Sequence, residues 1–90
     1  MTVPIQPRRR ERVLVERVDE ETVLLDVDSG SYFALNDVGA RIWELCDGER
    51  SVDDIVATIT AEYDVDTGTA RADVAELLST LAGEQLLASS

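Results

Sequence analysis

The spacing of hydrophobic and polar positions changes near residue 36. Before that point, apolar residues come in short runs rich in β-branched side chains, which begin at Val13 and continue over residues 22–27 and 31–35. Such runs, separated by turn residues, are typical of strands. The acidic link 19–21 and the turn 28–30 are both short. The pattern therefore predicts three short antiparallel strands joined by tight connections.

After residue 35 the apolar period becomes helical. Asn36 is a good N-cap, and the apolar residues that follow it recur at i, i+4 and i+7. These residues are Val38, Ile42 and Leu45, with Trp43 beside them. We therefore predict a first helix that begins after Asn36 and ends at Asp47-Gly48.

Two further helices follow. Ser51 with Asp54 forms an N-terminal capping pattern, and a second helix is predicted from it. Its apolar stripe is Val52, Ile55, Val56, Ile59 and Tyr63. A third helix is predicted from residues 67–69 to Gly83. Its apolar face is Val74, Leu77, Leu78 and Leu81. After it, residues 86–87 are expected to pack back as a final strand.

Three strands followed by three helices indicate an α+β fold. The second and third helices, joined by a short turn, form a helix-turn-helix pair to which the strands supply the wing. The prediction is therefore a winged helix-turn-helix domain over residues 13–90, with a three-stranded antiparallel sheet. Residues 1–12 contain Pro4, Pro7 and an arginine cluster but no apolar period, so they are predicted to form a flexible arginine-rich arm.

The composition argues against catalysis. A chain of 90 residues buries only about 60–65% of its unfolded surface, which leaves little room for a deep active-site cavity. Histidine is absent and Cys46 is the single cysteine, so the commonest general base and metal ligand is missing. We expect no enzyme, metal or cofactor, and we expect Cys46 to be a small buried hydrophobe. No signal peptide or membrane span is evident, and a cytoplasmic protein is expected.

The charge is unevenly distributed. Residues 1–12 carry four arginines against Glu11, a net charge of +3, whereas residues 13–90 carry four arginines against eighteen acids, a net charge of −14. A body this negative repels a phosphate backbone and attracts a cationic partner. The third helix carries Asp73 and Glu76, with Glu84 directly after it, against Arg71. A DNA-binding winged helix is therefore the more remote alternative, and nucleic acid and membranes are not expected partners.

The predicted third strand lacks the usual protection of an edge. A three-stranded sheet has two edge strands, and soluble proteins commonly guard such edges with lysine, proline or a bulge. Ser31 to Leu35 contains no lysine, proline or charge. We therefore expect this strand to pair outward with another peptide. The alternatives are that Leu86-Leu87 or a second copy of the chain covers the edge.

The order and spacing of several short motifs resemble the family of coenzyme PQQ synthesis protein D and related peptide-recognition domains. The resemblance covers roughly residues 13–88. The motifs are Leu35-Asn36, Ile42-Trp43-Glu44-Leu45, Asp47-Gly48, Ser51-Val52 with Ile55-Val56, and Asp73-Val74 with Leu77-Leu78 and Leu81. Members of this PqqD-like family do not catalyse. They bind the leader segment of a ribosomally made, post-translationally modified peptide and present it to a modifying enzyme.

The stretch from Ser29 to Asn36 is most similar to the discrete leader-binding proteins of lasso-peptide pathways. The resemblance then implies three partners: a precursor leader peptide with lysines near a Tyr-x-x-Pro element, a transglutaminase-like leader peptidase, and a cyclase. The alternative is a PQQ-type peptide chaperone that serves a radical enzyme. The chain is expected to be a monomer or an edge-strand dimer.

The resemblance implies that the leader is added as a β-strand along the third strand, in a groove against the third helix. The candidate leader-binding residues are Ser31, Tyr32, Phe33, Ala34, Leu35, Asp73, Glu76, Leu77 and Thr80. The sequence leaves open whether Tyr32 and Ala34, or Phe33 and Leu35, form the pocket.

Overall fold

The computed structural model describes residues 6–88. Three strands precede three helices, and the strands pair in the order β1-β2-β3 with both pairs antiparallel. The elements are β1 (Val13–Val18), β2 (Glu21–Asp26), β3 (Tyr32–Leu35), α1 (Asp37–Leu45), α2 (Val52–Glu62) and α3 (Thr67–Gly83). The predicted α+β fold, with a three-stranded antiparallel sheet followed by three helices, is confirmed. No helix in the described range is long and apolar enough to cross a membrane.

The register of the sheet determines which side chains enter the core. Leu24 lies opposite Val15 on β1 and Phe33 on β3, and Thr22 lies opposite Leu35. Residues directly opposite each other share one face of a sheet. Leu24 is fully buried and Leu35 nearly so. This inner face therefore packs against the helices, and the outer face is turned away from them.

Each helix begins at a side-chain cap. The Asn36 side chain accepts a hydrogen bond from the Gly39 N–H at 2.8 Å. Ser51 and Asp54 form a reciprocal capping box. The Asp66 side chain accepts from the Thr69 N–H at 2.8 Å. These caps satisfy N–H groups that have no partner within the helix, and they confirm the predicted helix starts.

The core joins the inner face of the sheet to all three helices. Trp43 is 4% exposed and belongs to this core. The largest fully buried side chains include Leu24, Ile42, Leu45, Ile55, Ile59, Val74, Leu78 and Leu81. Leu77, which the sequence placed on the same apolar face of α3, is only partly buried at the margin of this cluster. It is therefore free to line a surface groove.

The segment before β1 is packed into the domain. Pro7 is fully buried. The Arg9 N–H donates to the Cys46 carbonyl at 2.9 Å, and the Arg10 N–H donates to the Leu86 carbonyl at 3.1 Å. Residues 7–10 therefore lie between two other chain segments and not in a separate arm. The prediction of an arm overlooked this because these contacts are made by the main chain, which leaves no apolar period in the sequence.

Residues 1–5 of the predicted arm lie outside the described residues, and the boundary at residue 12 stays a prediction. At the other end of the chain, Leu87 forms a single β-bridge with Arg9. The Ala88 N–H donates to the Arg8 carbonyl at 2.8 Å. The segment after α3 thus packs back as expected, but it forms a bridge with residues 8–10 and not a full strand.

Candidate functional site

The outer edge of β3 is unpaired in the described part of the chain. β3 has β2 as its neighbour on one side, and residues 86–87 lie against Arg9. The alternative that Leu86-Leu87 covers this edge is therefore wrong. The free edge offers main-chain donors and acceptors to a further strand.

The hydrogen bonds of the hairpin show which main-chain groups are free. The Asp26 N–H donates to the Ser31 carbonyl at 2.8 Å, and the Ser31 N–H donates to the Ser29 hydroxyl at 3.2 Å. Hydrogen-bonded and non-bonded pairs alternate along an antiparallel ladder. Phe33, two residues after Ser31, therefore directs its main-chain groups to β2. Tyr32 and Ala34 direct theirs to the open edge.

A groove of about 470 Å³ runs between β3, the first turns of α1, and α3. It brings together every candidate site residue except Ser31 and Tyr32. The lining residues are Phe33, Ala34, Leu35, Asn36, Val38, Gly39, Ile42, Asp73, Glu76, Leu77 and Thr80. The open edge of β3 and one face of α3 thus border the same space.

The structure settles which set of β3 side chains faces the groove. Phe33 is half-buried and Leu35 is buried, whereas Tyr32 is 76% exposed. Phe33 and Leu35 share the inner face with Leu24, and Tyr32 lies on the outer face. Side-chain alternation along a strand requires this split once one residue is fixed. The Tyr32 side chain therefore does not line the groove, although its main chain borders the open edge.

Helix α1 supplies groove residues that sequence reasoning missed. Asn36, Val38, Gly39 and Ile42 line the groove because α1 starts directly after β3. A Cβ at Gly39 would lie 3.2 Å from Asn36 Oδ1 and 3.3 Å from a Leu35 side-chain methyl. Glycine thus permits the first turn of α1 to approach the end of β3 closely. The N-cap signal at Asn36 could have shown that this turn lies at the groove.

The α3 wall of the groove is acidic. Asp73 and Glu76 are exposed there, and the Thr80 hydroxyl donates to the Glu76 carbonyl at 3.0 Å. The lining residues include these two carboxylates and no arginine. The groove therefore favours an extended ligand with basic side chains.

A second, smaller cavity of about 300 Å³ continues the groove toward the turn between α2 and α3. It shares Val38, Ile42 and Asp73 with the groove. The remaining residues that line it are Ile59, Tyr63, Asp64, Val65, Ala70 and Val74. The two cavities together offer a main-chain edge, an acidic wall and an apolar recess.

The single thiol has the environment of a core residue. Cys46 is fully buried, and its Sγ–H donates to the Ile42 carbonyl at 3.2 Å. Burial raises the pKa of Cys46 to about 12, with Asp47 acting in the same direction and Arg9 opposing it. A thiol with this pKa stays protonated at neutral pH and is a poor nucleophile. Within the described residues, no group of three or more histidine, cysteine or acidic side chains is arranged to hold a metal ion.

The chain resembles known proteins in sequence and in fold. The model of the family described as coenzyme PQQ synthesis protein D (PqqD) matches residues 21–87. The chain is similar to the solved structure of TbiB1 in complex with the TbiA(beta) leader peptide, at 37% identity and a TM-score of 0.79. That match covers 92% of this chain and 96% of the other.

A second similar structure is lasso peptide synthetase B1 complexed with the leader peptide. It is 32% identical, with a TM-score of 0.80 and coverage of 93% of this chain and 99% of the other. No curated protein matched the sequence.

Proposed function

Since the chain belongs to the family of coenzyme PQQ synthesis protein D, we propose that it is a non-catalytic adaptor for the leader segment of a ribosomally made precursor peptide. The observation that carries the proposal is the open edge of β3 beside a groove against α3. Two similar structures are complexes with a leader peptide, which supports the same ligand class here.

The leader binds as an added strand along β3. Its main chain pairs with the free groups of Tyr32 and Ala34, and alternate side chains enter the groove beside Phe33. The proposed contact residues remain those predicted from the sequence, with two refinements. Ser31 acts by shaping the hairpin, since both of its main-chain groups are already engaged. Tyr32 acts through its main chain.

Affinity comes mainly from main-chain pairing and from an anchor side chain buried in the groove. An exposed ion pair contributes only about 0–1 kcal/mol. The carboxylates of Asp73 and Glu76 therefore orient basic leader residues but add little to the free energy of binding. A buried aromatic anchor is expected to contribute more, as at other protein interfaces.

The precursor is that of a lasso peptide, and the partners are a transglutaminase-like leader peptidase and a cyclase. The similarity to lasso peptide synthetase B1 over nearly the whole chain supports this choice. A PQQ-type chaperone for a radical enzyme is the second candidate, because the matching family model is named for that pathway.

Calorimetric titration with synthetic leader peptides from precursors encoded near this gene tests the proposal. One peptide carries the Tyr-x-x-Pro element, and its matched control has alanine in place of that tyrosine. We expect submicromolar binding that the alanine change abolishes. Binding of neither peptide contradicts the lasso assignment, and titration with a PQQ-type precursor then decides between the two candidates.

A further inference from the structure

The outer edge of β1 is the second open edge of the sheet. In the described residues, β1 has β2 beside it on one side only. The Val27 N–H donates to the Arg12 carbonyl at 3.1 Å, and bonded and non-bonded positions alternate along an antiparallel ladder. Leu14 therefore directs its main-chain groups to β2, whereas Val13 and Val15 direct theirs to the open edge. This edge has no part in the proposed leader site.

There is space beside the open edge of β1. A cavity of about 390 Å³ lies against the strand, and its lining includes Val13, Val15, Trp43 and residues 8–11. Leu14 is 57% exposed and Val15 is 54% exposed. Large apolar side chains on an unpaired edge strand are a liability unless something covers them. Nothing in the described part of the chain covers these two.

The segment around β1 is complementary to itself in antiparallel pairing. Residues 11–17 read Glu-Arg-Val-Leu-Val-Glu-Arg, which is symmetric about the central leucine once opposite charges are matched. In a second copy that runs antiparallel about this leucine, the facing pairs are Leu14–Leu14, Val13–Val15, Arg12–Glu16 and Glu11–Arg17. Each charge meets an opposite charge, and each apolar residue meets an apolar residue. A surface that matches itself in this way is what a twofold-symmetric interface requires.

The same register also suits the main chain. Val13 and Val15, whose main-chain groups face the open edge, lie opposite each other, so each such pair can exchange two hydrogen bonds. A shift by one residue would place Arg12 opposite Arg17, and it would pair open main-chain groups with groups that already bond β2. Glu11 and Arg12 form the turn before β1. Their side chains, and not a longer ladder, therefore reach the other copy.

The charged side chains of this segment are available for pairing. Glu16 is exposed and has no ion-pair partner among the residues that the structure describes. Arg12 contacts Asp28 at 2.9 Å and Arg17 contacts Asp37 at 3.5 Å, both at exposed positions. A guanidinium has five donors, so each arginine can keep its present contact and donate to a second carboxylate.

We propose that β1 pairs with β1 of a second copy, in the register centred on Leu14, so that two sheets form one sheet of six strands. This proposal does not rest on the adaptor function. A different partner strand of one charge sign is disfavoured, because residues 11–17 carry two glutamates and two arginines. The β3 edges lie at the two ends of the joined sheet, so both grooves stay open to a leader.

The dimer should be weak. One pair of short strands gives an interface at the small end of the range for specific complexes. The net charge of −11 on each copy also opposes association. We therefore expect a monomer–dimer equilibrium that depends on protein concentration.

Sedimentation equilibrium of the native chain, over roughly 10 µM to 1 mM, tests the proposal. We expect reversible dimerisation. Val15→Pro removes an N–H that faces the open edge, where proline is tolerated, and should weaken the dimer roughly tenfold or more. Val15→Thr keeps the N–H and is the matched control. Circular dichroism checks that every variant is folded, and leader affinity should be unchanged in both.

An exchange of charge between copies tests the register. Glu16→Arg places two arginines opposite each other, and Arg12→Glu places two glutamates opposite each other. Each variant alone should dimerise roughly tenfold more weakly than the native chain. An equimolar mixture of the two variants restores both opposite-charge pairs in the heterodimer. The mixture should therefore dimerise about as well as the native chain, which a general charge effect does not predict.

Three outcomes overturn the proposal: a native chain that stays monomeric throughout this range, equal dimerisation of the native chain and Val15→Pro, and no recovery in the mixture. A dimer that leader peptide or Ala34→Pro dissociates would assign the interface to β3 and would also overturn it. Failure of the adaptor function looks different. In that case no leader binds, whatever the oligomeric state.

Discussion

Two stretches of main chain in this protein differ in how many of their hydrogen-bonding groups have partners. Residues 8–10 are bonded on both sides, to the Cys46 and Leu86 carbonyls and to the Ala88 N–H. β3 is bonded on one side, to β2. The bonded stretch carries three arginines, whereas the open stretch carries no charge. The contrast teaches that exposure of main-chain groups, and not the polarity of the side chains, marks the surface available to a peptide.

The largest expected effect is on stability, and it comes from substituting one of two adjacent leucines of α3. Leu78 is fully buried, whereas Leu77 is half-buried in the groove. Leu78→Ala should lower the free energy of unfolding by about 2–5 kcal/mol, because it leaves a cavity in the core. Leu77→Ala should lower it much less and should weaken leader binding. Chemical denaturation and calorimetric titration of both variants measure this, and equal stability losses would show that Leu77 is a core residue.

Proline placed in each stretch tests the contrast directly. Ala34→Pro removes an N–H that faces the open edge, where proline is tolerated. It should leave the fold intact and weaken leader binding roughly tenfold to hundredfold. Arg9→Pro removes the N–H that bonds Cys46 at 2.9 Å. It should destabilise the domain by about 1–3 kcal/mol and leave the leader affinity of the folded protein unchanged.

Circular dichroism and titration separate the two proline effects. Ala34→Val, which keeps the N–H, is the control for the first variant, and Arg9→Ala is the control for the second. Loss of the fold in Ala34→Pro would mean that the Ala34 N–H bonds within the domain and does not face the open edge.

Asp26 links the bonded stretch to the hairpin that presents β3. Its carboxylate accepts from the Asp28 N–H and the Ser29 hydroxyl, each at 3.0 Å, and lies 3.5 Å from Arg10. Burial acts to raise the pKa of Asp26, but these hydrogen bonds and Arg10 outweigh it, and the pKa is lowered from its usual 3.8.

A carboxyl group with a lowered pKa in the folded state stabilises the fold at neutral pH. This stability should be fully present above about pH 5 and should fall as the pH drops below 3.8. Asp26→Asn should therefore be less stable than the native chain at pH 7, and the difference should shrink toward pH 2. Denaturant unfolding across this range measures it, and a difference that is independent of pH would rule out the charge of Asp26 as the cause.

Substitutions in the acidic α3 wall of the groove should have the smallest effect on leader binding. Asp73→Asn and Glu76→Gln should each weaken binding of a lysine-bearing leader by about 0–1 kcal/mol, with the loss disappearing at high salt. Glu84→Gln is a matched control, because Glu84 is exposed near the end of α3 and does not line the groove. Equal effects of all three would indicate a general charge effect and no specific wall.

The sequence predicted the elements of this fold because its local signals agree. β-branched runs, capping residues and a helical apolar period each specify one kind of structure. The open edge was also predictable, since Ser31 to Leu35 lacks any protecting residue. The inward face of β3 was not predictable, because alternation is symmetric until the register with Leu24 is known.

The missed features depend on contacts that leave no local pattern. The packing of residues 7–10 uses main-chain groups and arginine side chains that donate to main-chain carbonyls, and neither leaves an apolar period in the sequence. The contribution of Val38 and Gly39 to the groove depends on how closely α1 follows β3 in space. The role of Leu77 depends on where the core ends, whereas its helical period is the same as that of Leu78.

The hydrogen bond from Ala88 to Arg8 has a consequence for protein architecture. It holds Ala88, at the end of the described chain, 2.8 Å from Arg8, near its start, measured from the amide nitrogen to the carbonyl oxygen. A domain whose ends meet can be inserted into a surface loop of a host protein without separating the two sides of that loop. The same closeness favours circular permutation, in which a short linker joins the ends and new termini are opened elsewhere. This adaptor is therefore suited to transplantation as a genetically encoded cassette into an unrelated enzyme.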